Sequence, residues 1–413
     1  MSAEKPSMDD ARTHAKELLT NARHAMAEMK EQLASSKEVL GLLAVDMGGD
    51  PRNKGDLEHA KHTFQNSLNV TIIDNPAIGD STRLMTRMYS LYEKIFPIAE
   101  EREELDKLLS LMEKNHDKKL QASGAPFREQ WIIVQHPNTG EVIAARNVIT
   151  FSAAKDKEVS KEIDGTQHLI YGFVDPRFRS MGLGDFTMGI AEDEARKFLA
   201  TTYKGRSADS MDMVQISEQN APLLMSMESM LVDTAGAKTD QFWRREYYES
   251  LGFRELSFDY IQLPLEPRAD GGEPSDELNL ITRGVPAPAG GRGLKTVMTD
   301  IPANSVRFHL YNFFDRSVAA GQYEVEADPD WIKQSAALEG TIAVKPKLDF
   351  MGLKDKAWLF MEQYIGGKRF KPDAFSGNTV GDMMGIEAIP AQAASGNDNA
   401  TPKAAPKAPA GPK

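Results

Sequence analysis

Apolar residues recur first at helical, then at alternating, then again at helical spacing, and each change of period marks an element. Small and apolar residues fall at Met8, Ala11, Ala15, Leu18, Ala22, Met26, Met29 and Leu33. This three-four spacing predicts a helix over 8–33 with a stripe of Ala, Met and Leu. The alanines permit close approach, so the helix either makes a homodimer or partner contact or lies on the chain's own body. Gly48-Gly49-Asp50-Pro51 ends this region, and 56–65 forms one more short helix. On it His59 and His62 stand three apart, which without a third ligand reads as a solvated pair. The β-branched run 68–73, closed by Asp74-Asn75-Pro76, opens the body as a strand. Ser81 caps a helix with Leu84, Met88, Leu91 and Ile95 inward, interrupted at Pro97; a charged helix over 100–115 and a loop over 121–126 follow. Segments 131–134 and 142–151 then form a hairpin through His136-Pro137-Asn138-Thr139-Gly140.

The stretch 171–199 carries the densest signal. An apolar run ends in Tyr171, Phe173 and Val174, and Pro176 closes it because proline cannot extend a central strand. The loop Arg179-Ser180-Met181-Gly182-Leu183-Gly184 follows. Beyond it Phe186, Ile190, Ala191, Ala195, Phe198 and Leu199 alternate with a charged face, so a helix starts at the glycines. Glycines let a backbone approach closely, and free amides at a helix N-terminus carry partial positive charge. The loop is therefore a seat for a phosphate or pyrophosphate. The third glycine of the dinucleotide fingerprint is replaced by Thr187, which disfavours a Rossmann site. Further strands are predicted over 211–216, 256–263 and 278–285, with a helix over 304–320. An insertion at 223–239 adds Met225, Met227 and Met230, read either as core filling or as a pliable wall for an apolar acceptor.

Composition narrows the function classes. The chain has 413 residues, enough for a full core, and no cysteine, which removes disulfides, thiolate metal sites and a cysteine nucleophile. A net charge of -12 weighs against general nucleic-acid or anionic-membrane binding, which needs a basic footprint. The polar start lacks a secretory pattern and no run approaches a membrane span, so a cytoplasmic protein is expected. No metal site is expected. From 391 onward Ala, Pro, Lys, Asn and Gly dominate, predicting a disordered tail.

Val174-Asp175-Pro176 followed by Arg179-x-x-Gly182-x-Gly184 resembles the acyl-CoA loop of the GNAT family of N-acetyltransferases. Tyr247-Tyr248-Glu249-Ser250-Leu251-Gly252-Phe253 looks like that family's FYEKLGF helix end. The order of strand, helices, hairpin and loop-feeding strand agrees. The resemblance implies an α/β (α+β) fold with a mixed, mostly antiparallel sheet flanked by helices. Its expected parts are an N-terminal helical extension over 1–66, an acyltransferase domain over 67–322, a C-terminal extension over 323–390 and the tail.

It also implies acetyl-CoA as acyl donor and a primary amine as acceptor. The amine attacks the thioester, which calls for a grip on the donor, a base and an acid. Carried over residue by residue, Arg179, Ser180, Met181, Gly182, Leu183, Gly184 and Asp185 hold the pyrophosphate, and Phe173 and Val174 offer a strand edge to pantetheine. Asn220 is the candidate for a further contact. Tyr248 takes the place of the general acid, with Tyr247 as fallback. For the base, Glu218, His168 and Asp175 are candidates, and Glu218 is preferred. The alternative is a catalytically inactive CoA-binding scaffold or sensor acting through protein partners.

Overall fold

The computed structural model describes residues 7–96, 102–237, 240–264, 267–275, 278–318 and 322–386. The predicted disordered tail lies outside the described residues. Two helices come first, α1 (Met8–Asp46) and α2 (Lys54–Ser67), capped by the side chains of Ser7 and Asn53. After β1 (Asn69–Ile73) come α3 (Ser81–Ile95), α4 (Leu105–Glu113) and the short α5 (Lys118–Ser123). The hairpin of β2 (Phe127–Gln135) and β3 (Val142–Ser152) leads through α6 (Val159–Glu162) to β4 (Gly165–Val174) and α7 (Leu183–Thr202). Next come β5 (Met213–Asn220), α8 (Met227–Ala237), α9 (Gln241–Ser250), β6 (Arg254–Glu255) and β7 (Leu278–Val285). The remainder is β8 (Asp300–Pro302), α10 (Ala303–Phe313), α11 (Pro329–Ala337), β9 (Thr341–Ala343), α12 (Phe350–Gly366), α13 (Pro372–Gly377) and α14 (Val380–Met384).

A seven-stranded sheet in the order β1-β2-β3-β4-β5-β7-β6 forms the centre, flanked by helices; β8 and β9 pair separately. All of its pairings are antiparallel except β4 with β5. This is the expected fold class, mixed and mostly antiparallel, with an N-terminal helical extension. The parallel pairing is short. It runs from Gly165↔Met213 to His168↔Ile216 and stops, although β4 continues to Val174 and β5 to Asn220. At the same level the β3–β4 register slips, with Val148 opposite Leu169 and Asn147 opposite Tyr171, so that Ile170 is an extra, bulged residue. A bulge bends its strand and increases twist. Beyond it the two central strands diverge and leave one edge of β4 open.

Alternation sorts the helices. Val148 and Leu169 pack beneath α7 with Met188 and Ala191, whereas Ile149 and Phe151 face α10 through Val306, Leu310 and Phe313. On the α10 side α3 and α4 cover Trp131, Ala145 and Phe173. The insertion does not line a cleft, because Met225, Met227 and Met230 are buried against Ala15, Leu19 and Ala22 of α1 and against Trp358 and Met361 of α12. The N-terminal stripe thus lies on the chain's own body. The α1 helix runs to Asp46, just before the Gly48-Gly49 expected to end this helical region. Two elements differ from expectation. Residues 256–263 form only isolated bridges, Leu256 with Val344 and Gln262 with Ser275, because Leu256, Tyr260 and Leu263 turn inward and cover the core. Ser81 is the first helical residue of α3, and Asp80 is the cap position.

Candidate functional site

The glycine loop sits where β4 leaves the sheet, and its conformation is unusual for a chain of L-residues. Ser180 has φ 75°, the only positive φ at a non-glycine position among the described residues, and Gly182 follows at φ 69°. Left-handed residues in such a turn can leave neighbouring amides facing one side, the geometry of an anion-binding concavity. The amides of Ser180, Gly182, Leu183, Gly184 and Asp185 meet no acceptor among the described residues; the first α7 bond is Phe186 N–H to the Gly182 carbonyl, 3.0 Å. Met181 and Leu183 point their side chains the other way, into a core with Leu40 and Ala44 of α1 and Ala60 of α2. Gln65 of α2 donates to the Met181 carbonyl at 3.0 Å. The loop is thus held from behind while its amides face forward. The half-buried Arg179 guanidinium beside it makes no hydrogen bond or ion pair among the described residues.

The open edge of β4 is set by hydrogen-bond alternation. Asp175 N–H donates to the Ile143 carbonyl at 2.8 Å, so the backbone of Asp175, and two residues earlier of Phe173, faces β3. Gly172 and Val174 therefore present their amides and carbonyls to the gap. Val174 was expected there, whereas Gly172 was not. Phe173 is anchored by its ring among Tyr92, Phe96 and Trp131.

On the α10 side of the gap stands Glu218 of β5. Its carboxylate accepts from the Tyr260 hydroxyl and from Gln262 Nε2 at 3.2 Å, and burial lifts its pKa to about 7 against both. Glu129 on the same face is also lifted to about 7 by burial, opposed by the hydrogen bond from Asn147 Nδ2 at 3.2 Å. Tyr248 occupies the other face, packed on Phe253 (ring centroids 5.3 Å apart) among Leu169, Met188 and Ile281. Its hydroxyl has no hydrogen-bond partner among the described residues. Where the strands part, the Ser217 hydroxyl donates to the Leu169 carbonyl at 3.1 Å. Asn220 ends β5 on the Glu218 face, two residues on.

Two other base candidates are committed elsewhere. Nδ1 of His168 lies 3.0 Å from Nε2 of His309, and its ring stacks on Phe313 at 3.7 Å. Burial holds both imidazoles below the usual histidine range, His309 at about 3. Asp175 caps the turn after β4 and is gripped by Arg177 Nε at 3.0 Å and Nη2 at 2.7 Å, which keep its pKa low against burial. Tyr247 stands over the loop instead, donating to Asp185 at 2.9 Å.

A cavity of about 570 Å³ opens at the opposite end of β4, between Lys155, Val159, Arg307, Phe308, Tyr311 and Trp331. Its cations are occupied, Lys155 by the carbonyls of Gln121, Ala122 and Gly124 and Arg307 by those of Ser335 and Leu338. Among the described residues no helix is long and apolar enough to cross a membrane.

No family model matches this chain, and no curated protein matches it significantly. Several solved structures are similar to it, two of them as follows. One is Ard1 from Thermoplasma volcanium, 13% identical with a TM-score of 0.26, covering 53% of this chain and 98% of that one. The other is a Desulfovibrio desulfuricans protein assigned as an acetyltransferase of the GNAT family, 13% identical with a TM-score of 0.28 over the same shares. Neither likeness bears on what this chain binds or does.

Proposed function

We propose that this protein is an N-acyltransferase that takes an acetyl group from acetyl-CoA and gives it to a primary amine. The observation that carries this reading is the open edge of β4 running directly into a loop of unpaired amides. An extended amide-bearing arm can pair with Gly172 and Val174 while the diphosphate at its end rests on the amides of Ser180, Gly182, Leu183, Gly184 and Asp185, with Arg179 alongside. Acetyl-CoA combines a peptide-like arm with a diphosphate in that order. When bound, acetyl-CoA supplies an activated carbonyl.

The chain's own residues supply the proton chemistry. Glu218, desolvated and poised near neutrality, accepts the proton from the acceptor nitrogen on one face of the gap. Tyr248, on the opposite face, is the donor to the departing sulfur. Tyr260 and Gln262 keep the carboxylate of Glu218 oriented. Calorimetry with acetyl-CoA, followed by thiol release against polyamine, aminoglycoside and lysine-peptide acceptors, tests the reading. Saturable binding and release with an amine are expected. Absence of binding by folded protein overturns the proposal, and binding without release on any amine favours the scaffold or sensor.

A further inference from the structure

Arg146 lies at the centre of β3, a strand buried along its whole length, and is 3% exposed. Its side chain crosses beneath the loop. Nε donates to the Thr187 hydroxyl at 3.2 Å and Nη2 to the Gly184 carbonyl at 3.3 Å, both in the first turns of α7. Nη1 is buried and has no hydrogen-bond partner among the described residues. No carboxylate pairs with this guanidinium among the described residues, unlike the buried Arg245, which has Glu255 at 2.8 Å, and Arg283, which has Glu192.

Nη1 has a defined position. It would lie 2.9 Å from a Cβ on Gly172, so the guanidinium covers that glycine, whose backbone is exposed at the open edge. A buried cation without a counter-charge is costly, and arginine cannot shed its proton. Such a group persists where a ligand provides the missing charge.

We propose that Arg146 is a second cationic contact for the diphosphate of the acyl donor, reaching it from beneath the loop while Arg179 flanks it. This deepens the reading above and rests on it. The guanidinium couples the loop to the edge, because the hydrogen bonds that hold it come from α7 while its free N–H stands over β4. Gly172 is a glycine because a side chain there would displace Arg146.

The test uses the full chain and two donors, acetyl-CoA and acetyl-pantetheine, which lacks the diphosphate. Arg146→Met should raise the Kd for CoA on the order of 10- to 100-fold, as loss of a charge-assisted hydrogen bond does. Its kcat/KM should fall far less with acetyl-pantetheine than with acetyl-CoA, and Arg146→Lys should recover part of the CoA affinity. Equal loss with both donors would place Arg146 on the arm rather than the diphosphate and overturn the proposal. So would unchanged CoA affinity in folded Arg146→Met. If Arg146→Met fails to fold, Arg146→Lys decides alone, since a point charge in place of the fork should still weaken CoA far more than acetyl-pantetheine. Failure of the wild type to bind CoA would instead sink the acyltransferase reading.

Discussion

Glu218 and Tyr248 lie on opposite faces of the sheet, in different environments. Burial raises Glu218 to about 7, so the carboxyl is protonated below that pH and cannot accept a proton. Turnover should therefore rise with pH through about 7, and Glu218→Gln should remove both the rise and most of the rate, measured as kcat/KM from pH 5 to 9. Glu129 titrates at about 7 as well, so Glu129→Gln is the control, and its profile should match that of the wild type. Both carboxyls have native pKa values above their ordinary value. The folded state thus holds protons that the unfolded chain has released between about 4.5 and 7, and their contribution to stability falls as pH rises through that interval. Tyr248→Phe keeps the ring on Phe253 and removes one oxygen. It should lower kcat by up to about 10²-fold with unchanged acetyl-CoA affinity.

At the scale of elements, α7 and α9 meet over Gly184. A Cβ there would stand 2.5 Å from the Tyr247 hydroxyl, so glycine makes room for the tyrosine rather than for a ligand directly. Displacing Tyr247 strains its bond to Asp185 beside the loop amides. Gly184→Ala should weaken acetyl-CoA binding, and the same substitution in a Tyr247→Phe background should cost less, with a coupling on the order of 1 kcal/mol. Calorimetry on the four proteins reads the coupling directly, and independent effects would show that Tyr247 is not the obstacle. Gly182 has a different neighbour. A Cβ there would lie 2.7 Å from Gln65 Nε2, so α2 closes the back of the loop.

For the molecule as a whole, α1 joins two bodies of packing. Its 39 residues span about 58 Å. Ala15, Leu19 and Ala22 in its first half pack with the insertion and α12, while Leu40 and Ala44 near its end pack behind Met181 and Leu183. The N-terminal extension therefore backs the glycine loop from behind. Leu40→Ala, at a residue 4% exposed, should cost about 2–4 kcal/mol through the cavity it leaves. It should also weaken acetyl-CoA binding without changing the pH profile of turnover, which denaturant melts, calorimetry and rate measurements would check separately.

The elements legible in the chain were those whose pattern is local. The β4 run, the glycine turn and the amphipathic α7 follow from periodicity and from proline and glycine chemistry, and β7 matches its predicted limits, 278–285. The turn of free amides at the start of α7 was readable for the same reason, since glycines and a helix start lie within one short stretch. Other features depend on neighbours far along the chain. Which backbone groups of β4 stay open depends on pairing with β3 and on the early end of pairing with β5, so Gly172 did not stand out. The pairing of His168 required His309, and the holding of Glu218 required Tyr260 and Gln262 from a segment that reads as a strand but serves as a cover. Arg146 left one visible sign, the single charge inside the run 142–151. Its meaning came from burial, because a cation between Ala145 and Asn147 becomes informative only once the fold has removed water and supplied no carboxylate.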